Sequence, residues 1–261
     1  MIKMTQYIAN FSRFRPLLYE LMSRDVKTKY RKSVLGVLWT LLNPLLMMII
    51  LSIVFSNIFR FQVENYYLYL LAGQIIFNFF SEATTSAMTS ILGNGALIKK
   101  VYIPKYLFVL SRILSSIINI MASFCALIFV MVFTHSELHF TMFLAIIPLV
   151  YLFVFSLGIG LILAALAVKF RDVIHLYSVF ITALMYLTPV IYPMSLLPDW
   201  VKNIVNLNPL TGILTMFRDV VIYNTLPQPL ELVKSLIIVV VTLGIGLYTF
   251  YKQQDEFILN L

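Results

Sequence analysis

The sequence predicts an all-α membrane protein with six transmembrane helices, and two observations carry that expectation. Of 261 residues, 61% are apolar and 11% are charged, against about 45–50% and about 25% in soluble domains. Mean hydropathy is +0.94, and a soluble surface needs more polar cover than this chain contains. The second observation is periodic. Residues 33–59, 113–136, 138–168, 173–198 and 235–251 hold no Asp, Glu, Lys or Arg, and 65–98 is broken only by Glu82. A helix crossing the hydrocarbon needs about 20 mostly apolar residues. Spans are therefore expected at 34–58, 66–92, 106–133, 140–168, 173–192 and 232–251.

The first element is residues 1–33, ahead of any span. Leu17, Leu18, Leu21 and Met22 cluster on one side of a helix, while Arg24, Lys27 and Arg31 recur on another. Such a helix lies in the membrane interface with its apolar face in lipid. Its basic side is either an anchor that reinforces orientation or a cradle for a lipid-linked phosphate. Asn10-Phe-Ser12 has the form of a glycosylation triplet, placed by chance on the cytoplasmic side. The first span starts too late and runs too long for a cleavable signal peptide.

Span two carries Tyr66, Tyr67 and Tyr69 at its outer end, which fits an interfacial aromatic belt. Deeper, Asn78, Glu82, Thr85 and Thr89 form a polar stripe beside Phe77, Phe79 and Phe80. A carboxylate inside a span costs on the order of 2–3 kcal/mol, so Glu82 is expected to face a cavity or a partner. Phe77 and Phe80 with Glu82 suit either a hydrated sugar path or, for the rings, lipid contact. Spans four and six share Leu157-Gly-Ile-Gly-Leu161 and Leu243-Gly-Ile-Gly-Leu247, where small residues let helices approach closely.

Between spans five and six lies a long outer segment. Pro198 suits the start of a short helix, on which Trp200, Ile204 and Leu207 share a face. Asn208-Pro209 suits the N-cap and first position of a second piece, Leu210–Ile222, too short to span and interrupted by Arg218-Asp219. Two short re-entrant helices of this kind are tolerated where protein or a water-filled cavity covers their backbone. They form an outer gate, with Tyr192 assisting, or a lid lying in the outer headgroups.

Six spans put both termini on one side. Lys3, Arg13, Arg15, Arg24, Lys27, Lys29, Arg31 and Lys32 precede span one. Lys99, Lys100, Lys105 and Arg112 follow span two, Lys169 and Arg171 follow span four, and Lys252 closes span six. One face thus holds 15 of 19 Lys and Arg, against Arg60, Lys202, Arg218 and Lys234 on the other. Positive residues stay cytoplasmic, so both termini are expected in the cytoplasm. Topology accounts for the net charge of +8, and nucleic acid is not an expected partner. A single Cys125 and three histidines leave no disulfide framework and little for a metal. Gly93-Asn-Gly95 precedes Lys99-Lys100 without the spacing of a phosphate loop, and no other glycine run offers one. No cofactor is expected on this chain.

The stretch from Ser23-Arg-Asp-Val-Lys27 through Ser33-Val-Leu-Gly36-Val-Leu-Trp39 to Asn43-Pro44 resembles polysaccharide-exporting ATP-binding-cassette permeases of type 2. These export O-antigen, teichoic acid and related glycans. The resemblance continues through Leu97-Ile-Lys99-Lys-Val-Tyr-Ile-Pro104, Phe170-Arg171-Asp172, Thr188-Pro189-Val-Ile-Tyr192-Pro193 and Leu207-Asn208-Pro209. It implies one permease domain, 1–261: an interfacial helix over 1–33, a six-span bundle over 34–252 and a cytoplasmic tail over 253–261. It further implies a homodimer lining one pore in the bacterial inner or plasma membrane. Two copies of a separate ATPase, holding ATP and Mg, would dock beneath. Leu97, Ile98, Lys99, Lys100, Val101 and Tyr102 would form the coupling helix that meets the ATPase. The expected function is export of a lipid-linked polysaccharide. An exporter of a small hydrophobic compound, or a membrane-embedded glycan or lipid-phosphate transferase, is the alternative, though a transferase needs more convergent titratable groups than Glu82 alone.

Overall fold

A computed structural model of the chain describes residues 2–31, 33–36, 38–59 and 65–261, with side chains described from Arg13 onward and not over 56–59. Lys3, the Asn10–Ser12 triplet, Lys32 and Arg60 lie outside those described side chains. Among the described residues the chain is helical throughout, without a strand. Twelve α-helices follow in order: α1 (Ile2–Tyr30), α2 (Leu38–Phe59), α3 (Tyr66–Met88), α4 (Ser90–Gly93), α5 (Gly95–Lys100), α6 (Tyr106–Phe133), α7 (Ile146–Lys169), α8 (Val173–Leu187), α9 (Asp199–Leu207), α10 (Pro209–Val221), α11 (Pro229–Gln253) and α12 (Phe257–Asn260).

The core forms around α3, most of which is buried. Helices α2, α6, α7 and α10 pack against it, and α11 lies along α7. One glycine of each Gly-x-Gly motif, Gly158 and Gly246, makes that last contact. A Cβ on Gly246 would stand 2.4 Å from the Gly158 carbonyl oxygen, and one on Gly158 would meet the Leu243 nitrogen at 2.8 Å. The two backbones touch because neither helix has a side chain there.

By length and composition, four described helices suffice to cross a membrane: 38–55 within α2, α6, the Phe140–Lys169 stretch that includes α7, and α11 with its continuation to Asn260. The second and fifth expected spans fall short of that measure for different reasons. Helix α3 has 23 residues but includes the polar residues Gln74, Asn78, Glu82 and Thr85. Helix α8 has 15 residues, roughly 22 Å at 1.5 Å per residue, against a hydrocarbon core of about 30 Å. Pro189 ends it early, since the residue before proline is driven out of the helical region, and Thr188 is extended (φ −108°, ψ 134°).

Helix α1 departs from the lipid-facing expectation. Leu18 and Leu21 are buried in the core, and α1 packs along α6. Its apolar face is covered by the chain itself. A turn follows in which the Gly36 amide donates to Ser33 Oγ at 3.0 Å. Gly36 sits at φ +51°, where a side chain would be strained.

Candidate functional site

The polar side chains of α3 open onto three adjoining clefts of about 330, 610 and 500 Å³, and Glu82 lines all three. Helical spacing puts Asn78, Glu82, Thr85 and Thr89 on that one side, as their sequence pattern implies. Lys29 Nζ donates to Glu82 Oε1 at 2.6 Å. Asn119 Nδ2 donates to the same oxygen at 2.5 Å, and Tyr30 Oη donates to Asn119 Oδ1 at 2.9 Å. Burial disfavours the Lys29 ammonium, but the Glu82 hydrogen bond and charge, with Tyr30, outweigh it and hold its pKa above the usual lysine value. Glu82 therefore has both a cavity and a partner.

Phe77 and Phe80 do not line those clefts. Both are buried, and Phe80 stacks on Phe155 of α7 at 5.4 Å. One helical step turns them into the core, whereas Phe79 faces the smallest cleft.

A second cluster joins α1 to the end of the bundle that carries α5. Asp25 is buried, and its Oδ1 pairs with Arg24 Nη2 at 3.2 Å and Arg112 Nη1 at 3.3 Å. Arg24 Nη2 also donates to Asn94 Oδ1 at 2.9 Å, and Asn94 Nδ2 donates to Ser90 O at 2.7 Å. Asn94 is the residue immediately before α5. Of the three expected phosphate contacts, Arg24 is thus engaged within the chain. Lys27 and Arg31 are exposed and line a separate open cleft of about 660 Å³ beside it.

The expected coupling segment divides by burial. Ile98 is buried and Leu97 packs on the core. Lys99, Lys100 and Val101 are exposed, and Tyr102 is 90% exposed on an extended stretch after α5.

At the opposite end, α9 and α10 start where Pro198 and Asn208-Pro209 place them. Asn208 Oδ1 accepts from the Leu210 amide at 3.1 Å and its Nδ2 donates to Thr188 Oγ1 at 2.8 Å. Trp200, Ile204 and Leu207 are exposed on the single chain. Tyr192 Oη donates to Tyr186 O at 2.5 Å. Two of the expected belt residues are instead struts. Tyr66 and Tyr69 are buried, with Tyr66 Oη donating to Ile191 O at 2.7 Å and Tyr69 Oη to Tyr192 O at 2.8 Å. Only Tyr67 of the three is exposed.

Arg218 of α10, an apparent interruption in the sequence, proves to be the centre of that end. It is 5% exposed. Its Nη1 donates to Pro189 O at 2.8 Å, and its Nη2 to Tyr69 O at 3.0 Å and Val190 O at 3.1 Å. The guanidinium lies over the Tyr69 ring, 3.4 Å from its centroid. Gly73 makes the room, since a Cβ there would meet Arg218 Nη2 and Val190 O at 2.8 Å each.

Helices long and apolar enough to cross a bilayer, with polar clefts between them, suit a membrane permease. Residues 16–222 match the family described as ABC-2 type transporter. The chain belongs to the ABC-2 transporter family. It is similar over nearly its whole length to named members. An O-antigen export system permease protein RfbA from Klebsiella pneumoniae is 27% identical, covering 92% of this chain and 93% of its own. The Myxococcus xanthus protein of the same name is 28% identical, covering 97% and 98%. The polysialic acid transport protein KpsM from Escherichia coli is 24% identical, covering 92% and 94%. As an ABC-2 membrane domain, the chain is an integral membrane protein and a transporter permease, and its family implies an ABC ATPase partner. In this ABC-2 permease the residues that sequence reasoning passed over are Asp25, Asn94, Arg112, Asn119 and Arg218. Their partners are brought together from distant segments, so no local spacing marks them.

Proposed function

We propose that this ABC-2 permease exports a lipid-linked cell-surface polysaccharide across the inner or plasma membrane, driven by ATP hydrolysed with Mg on a separate subunit. The observation that carries the reading is near full-length similarity to two kinds of polysaccharide permease, named for O-antigen and polysialic acid export. Six helices, α2, α3, α6, α7, α8 and α11, cross the membrane with both termini cytoplasmic. Helix α3 crosses because its polar stripe faces an aqueous path, and α8 because the extended Thr188–Pro193 segment completes its passage. Two copies of the chain meet across the exposed apolar faces of α2 and α8, which enclose the Glu82 seam as one half of a polar pore. Trp200, Ile204 and Leu207 seal its outer end against their equivalents. Lys27 and Arg31, with Arg24 behind them, receive the lipid phosphate at the cytoplasmic interface.

The coupling element is α5 with Val101 and Tyr102. This chain has no phosphate loop, so work enters mechanically through a short connection joining two long helices. Exposed apolar and aromatic side chains dominate such contacts, whereas rim lysines contribute less. The complex with its ATPase, in lipid nanodiscs, tests the reading directly. Lipid-linked glycan should stimulate hydrolysis, and Tyr102→Ala should release or uncouple the ATPase while Lys99→Ala does so weakly. Lys27→Gln with Arg31→Gln should weaken stimulation and spare basal hydrolysis. An ATPase indifferent to every lipid-linked glycan offered would overturn the export reading.

A further inference from the structure

Helix α5 is six residues long and has no side-chain cap. A helix so short does not hold itself in water, yet a lever that delivers a push must keep its place. Residues 254–261 fold back beneath the bundle, where α12 packs against both α5 and α7. Phe257 is 1% exposed, with its ring edge-on to Phe250 of α11 at 5.3 Å. Lys105, just after α5, donates from Nζ to the Gln254 carbonyl oxygen, and its ammonium stands 5.7 Å from the Phe257 ring centroid. Leu261 lies against the first residue of α5, its Cβ 3.8 Å from where a Cβ on Gly95 would stand.

We infer that the C-terminal segment is a brace for the coupling helix, with Phe257 as its anchor, Lys105 as its tie and Leu261 as its pad. It is a positioning element. Phe257 touches neither substrate nor ATPase, and holds α5 so that motion delivered at Val101 and Tyr102 reaches α3 and α6. The inference rests on the reading of α5 as the ATPase contact. Without the brace the ATPase still binds and hydrolyses, and its stroke is absorbed by movement of α5.

The test uses the complete permease–ATPase complex in proteoliposomes, on a Cys125→Ser background. Phe257→Ala, and separately removal of residues 257–261, should retain the ATPase and basal hydrolysis within about twofold and lower glycan export at least tenfold. Phe257→Leu should restore most of it. The Gly95–Leu261 spacing matches the mean Cβ separation of a disulfide, about 3.8 Å. Gly95→Cys with Leu261→Cys, added to Phe257→Ala, should therefore cross-link on oxidation, recover export, and lose it again on reduction. Undiminished export in both the Phe257→Ala and truncated complexes would overturn the brace, as would a formed cross-link that recovers nothing. Retention of both the ATPase and glycan export by Tyr102→Ala would instead overturn the assignment of α5 itself, which separates the two failures. A truncated chain that does not accumulate leaves the Phe257→Ala cross-link rescue to decide.

Discussion

Arg218 carries a positive charge that, among the described residues, is held by carbonyl dipoles and one aromatic face rather than by a carboxylate. The guanidinium spreads its donors over two nitrogens and lays a flat face on the Tyr69 ring, whereas an ammonium holds its three donors on one nitrogen and has no such face. Arg218→Lys should therefore destabilise the permease by on the order of 3–5 kcal/mol, the cost of an incompletely paired buried charge. Thermal unfolding in detergent reads this directly, and an unchanged Tm would refute the role. Glu82 and Lys29 present the opposite case. Their pair is about half exposed, so it contributes at most about 1 kcal/mol. Lys29→Glu should lower Tm slightly, and adding Glu82→Lys should recover it. Glu82 was legible in the sequence because one carboxylate interrupts an apolar run. Arg218 looked like a mere interruption for a physical reason. Its acceptors are backbone oxygens of residues 69, 189 and 190, and backbone oxygens have no sequence signature.

Among the elements, the α7–α11 contact is set by glycine. Gly246→Ala drives a methyl into the Gly158 carbonyl, whereas Gly244 on the same helix has open space around it. Gly246→Ala should cost on the order of 1–3 kcal/mol and reduce accumulation in the membrane, while Gly244→Ala should behave as wild type. Equal behaviour of the two would mean that α7 and α11 do not touch there. Within the coupling segment, Ile98→Ala should cost on the order of 2–5 kcal/mol as a core truncation. Tyr102→Ala should leave stability within about 0.5 kcal/mol of wild type, as exposed substitutions do. The starts of α9 and α10 were readable from Pro198 and Asn208-Pro209, because caps are local chemistry. The partner of α1 was not. Periodicity shows that Leu18 and Leu21 share an apolar face, and says nothing of whether lipid or α6 covers it.

At the scale of the molecule, the contrast between α3 and α2 decides how spans should be counted. Helix α3 is the more polar and the more buried, whereas α2 is apolar and leaves Leu46, Ile49, Ile50 and Ile53 exposed. If α3 crosses as proposed, hydropathy alone undercounts passages, because a helix facing a polar seam gives up apolar residues on that side. If six helices cross, Leu196→Cys on the Cys125→Ser background should react with an impermeant thiol reagent from outside intact cells. Lys100→Cys should react only after the membrane is opened. Labelling of both from one side would exclude the six-span arrangement. The charge asymmetry that predicts this outcome is a property of the whole sequence, whereas the four long apolar helices are properties of single segments.

The cage around Arg218 also sets an order of biosynthesis. Helix α10 emerges from the ribosome after α3 and after the Pro189–Val190 segment that completes the cage. An arginine left in hydrocarbon without those oxygens costs about 2.5–3.5 kcal/mol even by the gentler insertion scales, so α10 settles only on a chain whose earlier helices have already assembled. If α10 enters the apolar layer as proposed, a chain that misplaces α3 has no cage for Arg218, and α10 stays outside that layer. The same guanidinium that fastens the finished molecule would thereby make its assembly sequential.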